Sequence, residues 1–464
     1  MRIKHLAPVA LAVLLIIGMG AGGERLSLVD AAKNGDKAEL RALLQKKADV
    51  NAAQADGTTA LHWAAYKDDV ESADLLIHAG AKVNASNDLG VTPLWTAAQN
   101  GSEAMVACLL AAGANPNAAL LAGETAVMVA SRSGNPAVVE QLIAKGGDVN
   151  VHGARGQTAL MWAASQKHPE VLKVLLSHGA DVKAKSDVWS QVMAVPPHGY
   201  LDYNRTIPAG GETPLMFAAR VGDLESAKLL VAAGAGVNDA DAWGISATTL
   251  AAHSGYTELV AFLLDKGADP NQAPNGFTAL HEAIMRHDEK MAAALLDHGA
   301  DASTPLKTWT PTRRSSHDYN FPPEFVGATP FWLAARFDEP NVMRLLLKHG
   351  ADPMFVLHAD HVVAGRGGQG WEHRADVTTA LMAATGIGGG AAWVDAPRAQ
   401  REAQTLEAVK LAVELGIDIN AANVDGRTAL DGAQALKYSS VIKFLEEKGA
   451  KASGKKGPAP REEI

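Results

Sequence analysis

Gly57, Gly90, Gly123 and Gly156 stand 33 residues apart, and two residues after each comes a threonine: Thr59, Thr92, Thr125 and Thr158. The series resumes at Thr213, Ser246, Thr278, Thr329, Thr379 and Thr428. A fixed period of this length constrains the fold more than any composition does. One short unit cannot bury its apolar face alone, so successive units must stack in a line. Each unit reads Thr-x-apolar-x-x-Ala-Ala or close to it, then a turn, a Leu-Leu pair, and a Gly-Ala-Asp-x-Asn ending. The stretch TPLWTAAQNGSEAMVACLLAAGANPN, residues 92–117, shows the unit whole.

Each recurring letter has a physical reason. The Thr hydroxyl accepts a backbone N–H at the start of a first helix. Pro93, Pro214 and Pro330 follow it at the first helical position, where a missing N–H is harmless. Paired Ala lets neighbouring units approach closely. Gly101, Gly134, Gly222 and Gly255 close the turn between two short helices, and the Leu-Leu pair faces the core. Gly80, Gly113, Gly179, Gly234, Gly267, Gly299, Gly350 and Gly449 supply the left-handed residue that stops the second helix. Eleven such units cover residues 26 to 452.

In these units the chain resembles the ankyrin-repeat family. TALHWAA at 59–65 and TALHEAI at 278–284 match its Thr-Pro-Leu-His motif, and the GADVN-type endings match its hairpin. The motif His survives only as His62 and His281; elsewhere Trp95, Met128, Met161, Met216, Trp332 or Met382 stands there. The resemblance gives both His a structural role, bonding neighbouring backbone, and implies more apolar packing in the other repeats. It also implies an all-α solenoid of helix-turn-helix units acting as a non-catalytic scaffold for protein–protein interaction. The first unit has Leu26 for the expected Thr and Lys47 for the expected Gly, and the last carries Glu446, Glu447 and Lys448. Both read as capping repeats with a polar outer side. Residues 453–464, with Lys455 and Lys456, make a flexible tail.

The chain opens MRIKHLAPVALAVLLIIGMGAGGE. A positive start, an apolar run from Leu6 to Ile17 and small residues after it read as a secretory signal peptide over residues 1–23. The run is short for a membrane span, which takes about 20 residues; the other reading is an uncleaved anchor. Cleavage leaves no stable membrane span and places the array, residues 24–452, in the periplasm or outside the cell. Its partner is then another exported or cell-envelope protein. The formal charge of −9 is spread without a basic stripe, which argues against nucleic acid. With Cys108 as its one cysteine the chain has no internal disulfide, and stability must come from packing.

Four insertions interrupt the period, at about 187–209, 304–326, 354–376 and 386–404. The first three lengthen the hairpin tip; the fourth separates the helices of one repeat and extends the second of them backwards. Two are alike. Asp202-Tyr203-Asn204 and Asp318-Tyr319-Asn320 each place Tyr ten residues before a capping Thr. His198 and His317 precede them, and Trp189 and Trp309 lie further up. These residues, with Trp371, are candidate partner contacts, since aromatic loops on a rigid array make good binding anchors. The competing reading is a brace, with the aromatics covering the edge of the solenoid. The third insertion, Gly-rich and read as a mobile loop, offers His358, His361 and His373 as weak zinc-ligand candidates whose spacing fits no signature. No Gly-x-Ser-x-Gly elbow, His-Glu-x-x-His or haem motif occurs, so no catalytic residue and no cofactor is assigned. An enzyme or small-ligand protein would have to build its site where the inserted loops meet.

Overall fold

The structure is a computed structural model that describes residues 27–193, 205–309, 321–364, 370–389 and 396–455. Eleven helix pairs follow one another, from Leu28–Asn34 with Lys37–Gln45 to Ala429–Leu436 with Ser439–Glu447. First helices pack on first helices and second helices on second, giving two layers with one continuous core between them. Ala97, Ala98, Ala163, Ala164, Ala218 and Ala219 are buried in that core, where a larger side chain would hold adjacent repeats apart.

The caps form as the pattern requires. Thr92 accepts from the Trp95 N–H, and Pro93 opens the helix. Ser27 takes this role in the first repeat, where Leu26 had been aligned with the Thr series. His62 accepts from the Thr59 N–H at 3.1 Å, and its other ring nitrogen lies 3.0 Å from the Val91 carbonyl of the next repeat. His281 receives the Thr278 N–H at 3.0 Å. At two of the methionine replacements the bond is kept in a weaker form: the Thr125 and Thr213 N–H groups donate to Met128 Sδ and Met216 Sδ at 3.5 and 3.4 Å. The turn glycine Gly134 is required twice over. Gly134 has φ +87°, and a Cβ on it would lie 2.5 Å from the His168 ring of the next repeat.

Each ordinary hairpin is closed by one backbone bond, such as Gln54 N–H to the Thr58 carbonyl (2.9 Å) or Leu120 N–H to that of Glu124 (2.9 Å). The insertions keep this bond and grow beyond it. Ser186 N–H reaches the Glu212 carbonyl at 3.0 Å, and Leu306 N–H that of Ala328 at 2.8 Å. The first insertion continues as an antiparallel ribbon, β1 (Val188–Met193) with β2 (Arg205–Gly210), Trp189 facing Ala209 across it. The third is a longer ribbon, β3 (Val356–Ala364) with β4 (Trp371–Thr379). This corrects the reading of that segment as a mobile loop. The alternations in LHADHVV and EHRADVT pair in register and override the nearby glycines. The repeats themselves are all-α, and the fourth insertion extends a helix, Arg398–Glu414, as expected.

An asparagine ladder ties the hairpin side together. Asn51 Nδ2 donates to the Gly80 carbonyl at 3.2 Å, and its Oδ1 accepts the Lys82 N–H at 2.7 Å. Asn84, Asn117, Asn150, Asn238, Asn271 and Asn420 repeat this pair of bonds to the following repeat. Lys183, Ser303 and Met354 stand at the remaining three positions. Each lies at or just before the start of a hairpin-tip insertion.

Candidate interaction surface

The capping Thr fixes which side chains of a first helix face away from the second layer. Residues four and seven after it share one helical face. At the fourth position are Trp63, Trp162 and Phe217; at the seventh are Tyr66, Arg132 and Arg220. Trp63 and Tyr66 meet edge to face at 5.7 Å, and Tyr66 is 62 % exposed. Lys33 lies over the Trp63 ring at 5.3 Å, Arg132 over Trp162 at 5.1 Å and Arg220 over Phe217 at 5.8 Å. Glu124 holds Arg132 at 2.8 Å, and Glu212 pairs with Arg220. Burial pushes the Glu124 carboxyl above its ordinary range, with the Arg132 charge opposing. Aromatic rings backed by guanidinium groups are the usual anchors of protein interfaces. This stripe was legible in the sequence as a register of Trp, Tyr and Arg counted from each Thr, and reading the insertions alone missed it.

The first ribbon continues the stripe. Trp189 is half-buried, and the exposed Arg155 guanidinium stacks on it at 4.9 Å. Arg155 sits in the left-handed region at φ 58°, an uncommon backbone for Arg, within a hairpin tip. On the opposite ribbon face Val188 and Val192 are 61 % and 68 % exposed. His198, Asp202, Tyr203 and Asn204 lie outside the described residues, as do His317, Asp318, Tyr319 and Asn320. Trp309 is half-buried, and Trp371, at the start of β4, is 38 % exposed.

The second insertion ends as a brace in the described part. Phe321 packs near Phe277 and the His281 ring, with centroids at 6.4 and 6.1 Å. Phe325 is fully buried between Trp332 and Phe337, at 5.7 and 5.9 Å. At the seventh position, exposed at Tyr66 and Arg220 further up the array, the brace covers the first helix. Glu282 and Leu333, at the fourth position, are fully buried, and Arg336, at the seventh, is nearly so.

The polar groups under this cover pair with one another. His253 lies 3.0 Å from the Glu282 carboxylate. Arg336 donates toward the Gly389 carbonyl at 3.3–3.4 Å, and burial lowers its pKa, with Asp338 and Glu324 opposing. Asp338, half-buried, receives the Thr405 hydroxyl at 2.8 Å; burial pushes its carboxyl up to about 7. The three zinc candidates are divided between the faces of the ribbon. His361 points inward, 4.0 Å from Glu324, and burial lowers its pKa. His358 and His373 face outward, the latter beside Asp360 at 3.5 Å. No group of three metal-ligating side chains occurs among the described residues. His361 lies on the other ribbon face from His358 and His373.

A two-layer array of capped helix pairs joined by stacked hairpins, with an open aromatic face, defines a helical repeat solenoid of the interaction-scaffold class. Models described as ankyrin repeats match residues 28–120, 94–186, 215–305 and 275–356, more than half of the chain, and 160–231 in a many-copy form. The chain belongs to the ankyrin-repeat family. It is similar to a putative ankyrin repeat-containing protein of Treponema pallidum (strain Nichols), 41 % identical over 95 residues, 20 % of this chain and 32 % of that one. Ankyrin repeat and SAM domain-containing protein 6 of Rattus norvegicus is 40 % identical over 80 residues, 17 % of this chain and 9 % of its own length. The E3 ubiquitin-protein ligase KEG of Arabidopsis thaliana is 28 % identical over 256 residues, 52 % and 15 % of the two chains. The chain thus spans a third or less of each of these relatives. Among solved structures, the human ASB11 ankyrin repeat domain matches 53 % of this chain with all of its own, at 27 % identity and a TM-score of 0.44.

Proposed function

We propose that this chain is a non-catalytic scaffold that binds another exported or cell-envelope protein, in the periplasm or outside the cell. The observation that carries the reading is the open stripe of Trp63, Tyr66, Trp162 and Trp189, each indole backed by Lys33, Arg132 or Arg155. An aromatic backed by a guanidinium buries a large rigid area at little entropic cost when a partner covers it. The amino-terminal sequence supports the location, and the lone Cys108 agrees with it, because the fold needs no disulfide. No described helix is long and apolar enough to cross a membrane.

The first ribbon is the part of the insertions best placed to join the contact, because Val188 and Val192 stand exposed on it and half-buried Trp189 lies under the Arg155 guanidinium. The second insertion's Phe321 and Phe325 point the other way, into the core. The test is capture of partners from the host's periplasmic fraction by the mature chain, with mass spectrometry, repeated with Trp63→Ala, Trp162→Ala and Trp189→Ala. Loss of the same captured protein in these variants, with the helical fold retained by circular dichroism, is the expected result. Capture that survives all three and is lost only on changing Glu324 or His361 would move function to the covered face, where a small-ligand or enzymatic site would have to lie.

A further inference from the structure

Seven joints between repeats are clamped by an asparagine that accepts one backbone N–H and donates to one carbonyl of the next repeat. Three are not. Lys183 cannot clamp, because an ammonium has no acceptor atom. Ser303 is too short to span the gap, and the Met354 thioether has no donor. Two of the three joints are braced in another way. Phe321 and Phe325 fill the joint after Ser303, and the buried Leu357, Ala359 and His361 of β3 cover the one after Met354, with His361 against Glu324. The joint after Lys183, between the repeat of helices Ala159–Ser165 and Pro169–Ser177 and that of Pro214–Val221 and Leu224–Ala232, lacks the clamp and has no such buried brace among the described residues. Its ribbon stands exposed at Val188 and Val192.

We infer that this joint is a hinge dividing the array into two stiffer blocks, residues 27–181 and 213–455. On the hairpin side it is spanned through the ribbon by single backbone bonds of the kind that link ordinary hairpins, as Asp88 N–H to the Asp56 carbonyl does at 2.9 Å. Asp187 N–H donates to the Arg155 carbonyl at 2.8 Å, and Ala242 N–H to the Gly210 carbonyl at 2.9 Å. The foot of the ribbon is two consecutive left-handed glycines, Gly210 and Gly211, and a Cβ on Gly210 would fall 1.9 Å from the Asp187 carbonyl oxygen. The Arg155–Trp189 stack crosses beside it, a contact that can slide without breaking a directional bond. Flexion there changes the angle between the aromatic stripe of the first block and the covered face of the second. The inference stands whatever the partner is.

The test is pulsed electron spin resonance on the full mature chain carrying Cys108→Ser. Spin labels go at matched exposed sites: Ala38 with Glu170 inside the first block, and Ala104 with Glu258 across the joint. Each pair spans four repeats, roughly 40 Å at about 10 Å per neighbouring helix. The expected result is a wider distance distribution for the pair across the joint. Lys183→Asn restores the clamp chemistry toward the Gly234 carbonyl and Gly236 N–H and narrows it to the width of the first pair. Asn117→Lys, which removes a clamp inside the block, widens the first pair. Equal widths in the two pairs, or a cross-joint width unmoved by Lys183→Asn, would overturn the hinge.

Discussion

Replacing Phe325 by Ala tests whether the second insertion braces the array. The side chain is fully buried, with Trp332 and Phe337 edge-on at 5.7 and 5.9 Å and Arg336 over its ring at 5.9 Å. Trp332 and Phe337 belong to one repeat whose helix has little room to collapse, so truncation leaves a cavity. The loss should fall in the usual range for a buried Phe→Ala change, about 3–5 kcal/mol. In a solenoid this is felt mainly by the repeats that share the contact. A single unfolding free energy is not well defined for so long an array, so the readout is local hydrogen exchange. At about 1.4 kcal/mol per decade, amides within 278–350 should exchange roughly 10²–10⁴ times faster. Residues 28–177 should keep their protection. Unchanged exchange in 278–350 would refute the brace and show that the insertion packs there without holding anything.

Replacing 187–211 with a three-residue turn should leave the solenoid folded, because the Ser186–Glu212 bond then closes a hairpin of ordinary length; circular dichroism checks the fold, and partner capture should weaken. Asp338 has a folded pKa of about 7, raised from 3.8 by burial, so its contribution to stability is complete below about pH 4 and is lost as pH rises through 7. Protection in 330–414, corrected for the intrinsic exchange rate, should therefore fall across that window, and Asp338→Asn should flatten the slope; an equal slope in the variant would count against this residue. His62→Ala should cost about 1–3 kcal/mol locally, because the Thr59 N–H and the Val91 carbonyl lose a partner, whereas Met128→Leu should cost less than 1.5 kcal/mol. Intact-mass analysis of the exported chain should find a start near residues 21–24; a full amino terminus in the membrane fraction would support an anchor instead.

The sequence by itself determined what is local. Caps, first-turn prolines and left-handed glycines act within a few residues, so Thr92, Pro93 and Gly101 placed a helix without reference to anything distant. The 21 residues from capping Thr to stopping Gly, as from Thr59 to Gly80, broken by the fourth insertion between Thr379 and Gly416, then fixed the repeat count. Two signals were present and unread: the register of Trp63, Trp162 and Arg132, and the loss of the ladder asparagine at Lys183, Ser303 and Met354. The rest was decided only in three dimensions. Whether LHADHVV is loop or strand depends on its partner strand, Trp371–Thr379, and that pairing turns His361 inward and His358 outward, onto opposite faces of the ribbon. Whether an inserted aromatic anchors a partner or braces the fold depends on what lies beneath it. Trp189 meets an exposed guanidinium at the edge, and Phe325 meets two rings in the core. Burial is a property of the whole assembly of elements, and no residue type carries it alone.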